Sequence, residues 1–448
     1  MRRLLRPFVV SASLLLVAVG PSRAARRPVS SAKPSSEYTV LLEAARKCVA
    51  SGDWKAFDAD LERRIATAFA EKKASITTEQ LRDLFYFRNV ATTFARLRNP
   101  ETRDMQLWLL EHRDYCGRWL HALDARDDAE AALGILKRLR NESERAFLKH
   151  RGLCIAYSIV WDRFARYNWF KTPPLEDDTM MKTYRYFITY GKRLNIPPSQ
   201  LPWELAVYVA DLSVTTGERR WALTTYFRTR NIGKLFFKVP YTWKVSHAHG
   251  RGRDIPYTLM NLQKLGGVCM EQAYFAAQVG KCLGVPSIYC TGTGRRGGHA
   301  WVGYLRTDKR PVHWDLNSGR YSYDHYWKGV TFDPTDWNYR NRIPTSVVQM
   351  SAALLTTGSP LKLEDSHYCR DAADWVAEHY PDAEGRADIA YELLLRSLDI
   401  CRFNKESWLE LAKLADQKKL TLTWQPSASP DVVAYRVRSS EGQDCLCL

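Results

Sequence analysis

Beyond its first two dozen residues the sequence contains no unbroken apolar run near the roughly 18 residues a membrane-spanning helix needs, which excludes a polytopic membrane protein. No pair among its ten cysteines has zinc-finger spacing, and ten in 448 residues are too few for a disulfide scaffold. The basic residues form no long run and no nucleic-acid motif, so nucleic acid is not an expected partner. Gly and Pro are scarce between Glu37 and Phe170. That scarcity excludes a loop-rich or all-β start.

What is present begins with a leader. Arg2, Arg3 and Arg6 precede the apolar stretch Phe8 to Val19, and Ser22-Arg23-Ala24 offers small residues at a cleavage point. This reads as a signal peptide over 1–24, with a lone membrane anchor as the alternative, and implies a secreted or periplasmic protein with no membrane span after cleavage. Residues 25–37 are a flexible leader rich in Arg, Pro, Ser and Ala. The remainder is globular, 45% hydrophobic and 12% aromatic, and long enough for two or three domains of ~150 residues each. The formal charge of +17 drops by four once the leader arginines are removed. A surface of that sign favours acidic substrates or an anionic envelope polymer.

Apolar spacing predicts a helical region over 38–195, with breaks at Pro173-Pro174 and Pro197-Pro198. Trp203 to Phe227 continues as helix. Phe236 to Val245 is aromatic and β-branched, and a Gly-rich, strand-rich stretch follows to about Thr335. A helical segment returns over 346–415. The last residues, 416–448, alternate like strands and resemble the start of a fibronectin type III domain. Glu218-Arg219-Arg220-Trp221 reads as a helix-surface charge cluster, with Glu218 or Arg219 buttressing the core.

The chemistry concentrates in Gly266-Gly267-Val268-Cys269-Met270-Glu271, followed by a small-residue helix that ends near Leu283-Gly284. A thiol there sits at a helix N-terminus, where unsatisfied N–H groups favour the thiolate. The two glycines leave room for a substrate carbonyl. Cysteines in apolar helical settings, such as Cys154, read as core. Ser287 to Thr291 and His299 to Tyr304 read as strands flanking the flexible loop Gly292 to Gly298. An imidazole opening the second strand is a base for the thiol. Asp315, on a strand beyond the polar turn Thr307 to Arg310, is the favoured orienting carboxylate, with Asp333 as its rival. Gln263 is a candidate oxyanion donor, and Trp301 and Trp314 are candidate cleft-lining residues. His247 and His249 have no partner at metal-ligand spacing, so no metal or cofactor is expected.

Gly267-Val268-Cys269, Gly284-Val285-Pro286, His299-Ala300-Trp301 and Asp315 together resemble the transglutaminase-like superfamily over roughly residues 200 to 345. One departure stands out: the family often carries Asp-Pro-Thr at its third position, and here that tripeptide lies downstream at Asp333. The resemblance implies an α+β, papain-like catalytic core over 196–345. It also implies thiol acyl transfer through a catalytic triad of Cys269, His299 and Asp315. On that expectation the protein is a cysteine protease or amidase, a hydrolase acting on a peptide or protein substrate. A cross-linking transglutaminase, or a non-catalytic binding or scaffold module on the same fold, are the alternatives.

Overall fold

The computed structural model describes residues 35–72, 76–163, 176–246, 255–295, 297–307, 312–321, 329–336, 341–356, 360–380, 383–417, 421–426, 433–438 and 444–447. The expected leader and the His247–His249 pair lie outside them. The described chain is α+β. Helices run from Ser36 to Phe236, at 259–265 and 269–282, and again from Thr345 to Gln417; strands occupy 287–344 and the last described residues. Among the described residues no helix is long and apolar enough to cross a membrane.

The helix starts are written in capping residues. The Ser35 hydroxyl accepts from the Tyr38 N–H at 2.9 Å, and Asp128 accepts from the N–H groups of Glu130 and Ala131. Thr77 with Gln80, and Thr215 with Glu218, form reciprocal capping boxes. Each such cap stabilises its helix by ~1 kcal/mol. Glu218 and Arg219 are buried rather than on the helix surface. The second Glu218 oxygen accepts from the Leu259 N–H at 2.9 Å, and Arg219 donates to Thr183, Thr216 and the Val214 carbonyl. Their charges therefore tie the Thr216–Thr225 helix to its neighbours.

The two helical regions, separated in sequence by the strands, pack on each other. The long helix Pro360–His379 lies across Thr78–Phe94 and Arg113–Ala122. Arg82 grips Asp365 with two bonds of 2.6 and 2.9 Å, and the Trp375 indole donates to Glu62 at 2.6 Å. Arg396 donates to the Ile76 carbonyl and to Thr78.

Glu364, on the same long helix, is 6% exposed. It takes a 3.2 Å bond from the Tyr368 hydroxyl and stands 3.8 Å from the Arg118 Nε. Burial, with the negative charge of Asp114 added, pushes its carboxyl up to about 8. The folded protein then holds this proton where the unfolded chain has released it, so stability falls as pH rises from the ordinary carboxylate range through about 8. Thermal melting at several pH values is expected to show a drop of several degrees between neutral and mildly alkaline pH. In Glu364→Gln, which keeps the shape and the Tyr368 bond, that drop is expected to shrink.

Five antiparallel strands form the sheet at the centre: β1 (Ser287–Gly294), β2 (Gly297–Arg306), β3 (His313–Asp315), β4 (Val330–Phe332) and β5 (Arg342–Pro344), in the order β3-β2-β1-β4-β5. The β1–β2 ladder runs out to Gly294 opposite Gly297, so the expected long loop from Gly292 to Gly298 is a short hairpin end. The helix Cys269–Cys282 packs on β1 and β2. Gly280 permits this closeness: a Cβ there would stand 2.2 Å from the Ser287 hydroxyl. The segment Phe236 to Val245 is not a strand. It makes one parallel bridge, Tyr241 to Gly267. At the chain's far end β6 (Thr421–Pro426), β7 (Val433–Arg438) and β8 (Asp444–Cys447) form a separate three-stranded antiparallel sheet, one strand more than the alternation predicts.

Candidate functional site

Cys269 is the first residue of its helix. The turn before it is held from both sides. The Gly267 N–H donates to the Pro240 carbonyl at 3.0 Å, and the Thr242 N–H donates to the Gly267 carbonyl at 2.7 Å. Gly266 has φ +91°, and a Cβ there would stand 2.4 Å from the Pro240 oxygen; a Cβ on Gly267 would stand 2.4 Å from that of Glu271. The two glycines thus make room for Pro240 and Glu271, not for a substrate carbonyl. Glu271 is wholly buried. One of its oxygens accepts from the Val268 N–H at 2.9 Å, the other from the Ser246 hydroxyl at 3.3 Å. A carboxylate at this position satisfies an orphan N–H of the helix start and fixes the backbone that carries the thiol.

The Cys269 sulfur is half-buried and faces the backbone N–H of Ala300 on β2. Burial pushes the thiol up, the Glu271 charge adds to this, and the N–H groups of Ala300, Met270 and Cys269 oppose it. The net direction is upward, so desolvation outweighs the helix terminus and the expected resting thiolate is corrected to a thiol. Burial raises the fully buried thiols too; Cys154, for instance, is pushed up to about 12.

His299 precedes Ala300 and is 6% exposed. Its Nε2 lies 2.7 Å from the Gly319 carbonyl oxygen. A carbonyl only accepts, so Nε2 carries the proton and Nδ1 is the basic nitrogen of the neutral ring. The ring stacks on Tyr321 with centroids 4.0 Å apart and planes tilted by 20°, and Phe236 meets it edge-on at 6.4 Å.

Asp315 does not face this imidazole. The ladder sets Tyr304 opposite Asp315, five residues along β2 from His299, or about 17 Å at ~3.4 Å per residue. One carboxylate oxygen of Asp315 accepts from the N–H groups of Asn317 and Ser318 and from the Ser318 hydroxyl, at 3.1 to 3.3 Å; the other faces Arg306 at 3.7 Å. Asp315 therefore shapes the turn that brings the Gly319 carbonyl to His299. The rival, Asp333, lies just past β4. It accepts from Thr335 and from Arg126 of the helical region, at 2.8 to 3.1 Å. The β1–β4 register carries it away from the His299 end of the sheet.

The remaining candidates sit elsewhere. Gln263, on the helix Leu259–Leu265, lies against the Tyr226 hydroxyl. Trp301 and Trp314 are 1% and 3% exposed and belong to the core, not to a cleft wall. The Trp314 indole donates to Ser351 at 3.1 Å and packs edge-on against Tyr208. Among the described residues no three His, Cys, Asp or Glu side chains gather as a metal site.

Gly319, Tyr321, Ser246 and the Ala300 N–H are parts of the arrangement that sequence reasoning misses. Glu271 had a signal, a carboxylate three residues after the helix cap. Comparison with protein-family models, with curated proteins and with solved structures finds no match for this chain.

Proposed function

We propose that the protein is a thiol acyl-transfer enzyme of the transglutaminase-like kind, with Cys269 as nucleophile and His299 as base, acting mainly as a peptide or amide hydrolase. One observation carries this reading: the sulfur at the first turn of a buried helix faces the N–H next to His299, whose Nε2 is already committed to Gly319. His299 Nδ1 takes the thiol proton as sulfur attacks the substrate carbonyl carbon. The carbon–nitrogen bond then breaks, and the imidazolium returns its proton to the departing amine. Water, activated by the same nitrogen, cleaves the thioester and regenerates the thiol. The Gly319 carbonyl plays the orienting part a carboxylate has in other triads, and holds the tautomer without adding a charge. A raised thiol makes the base necessary, because little thiolate forms unaided at neutral pH.

The same raised thiol favours the second reading, a non-catalytic binding module on this fold. The two diverge in Cys269→Ala. Wild-type protein is expected to hydrolyse casein and to be carboxymethylated by iodoacetamide at Cys269, and the variant to do neither. Casein hydrolysis undiminished in the variant ends the catalytic reading. Offering an amine acceptor and weighing the products separates hydrolysis from cross-linking.

A further inference from the structure

From Arg219 to Ser246 the chain carries seven Lys or Arg and no Asp or Glu. The described part of this stretch nearest the thiol is a surface strip of Lys234, Phe237, Lys238, Tyr241, Trp243 and Lys244, all exposed. Phe237, Tyr241 and Trp243 are 70%, 51% and 48% exposed, among the most exposed large apolar residues described. Lone exposed apolar residues need no explanation, but a contiguous aromatic set rimmed by one sign of charge marks an interaction surface.

Its position ties it to Cys269. Tyr241 is bridged to Gly267, two residues before the thiol, and Trp243 meets Tyr241 edge-on with centroids 6.1 Å apart. At the other end Phe237 contacts Phe236, which packs on His299. The strip therefore passes both members of the thiol–imidazole pair. The carboxylates bordering it in sequence do not neutralise it: Glu218 and Glu271 are buried and occupied with N–H groups of helix starts.

We propose that this strip docks an extended acidic peptide, its carboxylates on Lys234, Lys238 and Lys244 and its apolar side chains on Phe237, Tyr241 and Trp243, and feeds it to Cys269. The inference rests on the thiol reading above and names the substrate class of that site. A peptide fits better than an anionic polysaccharide or lipid surface. The ammonium groups alternate with aromatic faces, as a chain of mixed side chains requires, and the site they flank acts on a carboxamide. Exposed charge pairs are individually weak and screened by salt, so affinity is spread over several lysines.

The test uses full-length protein carrying Cys269→Ala, so binding is read without turnover. A fluorescein-labelled peptide of alternating Glu and Tyr is titrated by anisotropy, beside a Lys/Tyr peptide of equal length and labelled dextran sulfate. The acidic peptide is expected to bind, the basic one not. Adding Lys234→Gln, Lys238→Gln and Lys244→Gln, in a protein with native circular dichroism, is expected to weaken binding about tenfold or more, as is raising the salt to physiological strength. Trp243→Ala is expected to weaken the peptide more than dextran sulfate. Equal binding of acidic and basic peptides, indifference to the lysine changes, or dextran sulfate binding as tightly and with the same Trp243 dependence overturns the proposal. Casein hydrolysis by the lysine variants with Cys269 intact tells the two readings apart. Persisting hydrolysis with no acidic-peptide binding sinks the docking strip and leaves the thiol chemistry standing.

Discussion

Replacing His299 by Gln is expected to lower turnover at Cys269 about 10²- to 10⁴-fold, the usual contribution of a positioned general base. Gln is the informative replacement because its amide N–H can keep the bond to the Gly319 carbonyl that Nε2 makes at 2.7 Å, while its other atom offers no proton-accepting nitrogen. A purely structural histidine would be replaced at small cost. The thiol provides an independent readout. Burial holds it above the ordinary cysteine range, so iodoacetamide at neutral pH reads the assistance the sulfur receives. Carboxymethylation of Cys269 in His299→Gln is expected to be slow at neutral pH and to converge with wild type only where the thiol ionises by itself. Cys48 and Cys401, half-buried and away from His299, serve as internal controls whose rates stay unchanged. Equal Cys269 rates at neutral pH in the two proteins would remove His299 from the mechanism.

The elements around this pair were legible in the sequence, and the details that decide its chemistry were not. Gly266-Gly267 before Cys269, and the alternating strands around His299, announce a helix start and a hairpin. The hairpin register is another matter. A polar turn admits several loop lengths, and a shift of a few residues decides whether Asp315 stands opposite His299 or, as it does, opposite Tyr304. The group that replaces it is the carbonyl of Gly319, and a main-chain acceptor leaves no mark on residue type. The thiol's titration was misjudged for a related reason: the helix end is visible in the sequence, but burial comes from segments that arrive from elsewhere, such as β2. Trp301 and Trp314 were placed on the right strands, yet alternation assigns a face without saying whether anything covers it. Tyr208 and Ser351, from helical segments on either side of the strand region, cover Trp314. The glycines before Cys269 read as substrate space because Pro240 is twenty-six residues away from Gly266 in sequence and in contact with it in space.

Replacing Asp371 by Ala is expected to cost about 3–5 kcal/mol of stability, the range for removing one partner of a buried charged cluster. Asp371 is 8% exposed, on the long helix Pro360–His379. It accepts from Asn89 at 2.7 Å, from His121 Nε2 at 3.0 Å and from Arg370 at 2.5 Å. Asn89 is 282 positions away in the chain, so this single carboxylate fastens the C-terminal helices to the N-terminal ones. Burial alone would raise its pKa, but the Arg370 and His121 charges and the hydrogen bonds prevail and hold the carboxyl far below the usual carboxylate range. A depressed value contributes stability that is complete above the unfolded-chain pKa of about 4 and is lost as pH falls through the folded value. The gap between wild type and Asp371→Ala in urea denaturation is therefore expected to be full at pH 7 and to narrow only below about pH 4. Removing Asp371 leaves the Arg370 guanidinium with Asp374, 3.9 Å away and half exposed, as a poor substitute, and strips His121 of its acceptor. Hydrogen exchange is expected to quicken first in Pro360–His379 and in the Thr78–Phe94 helix it grips, before the central sheet. A variant as stable as wild type at neutral pH would mean that apolar packing between these helices, not the buried carboxylate, holds the two ends of the chain together.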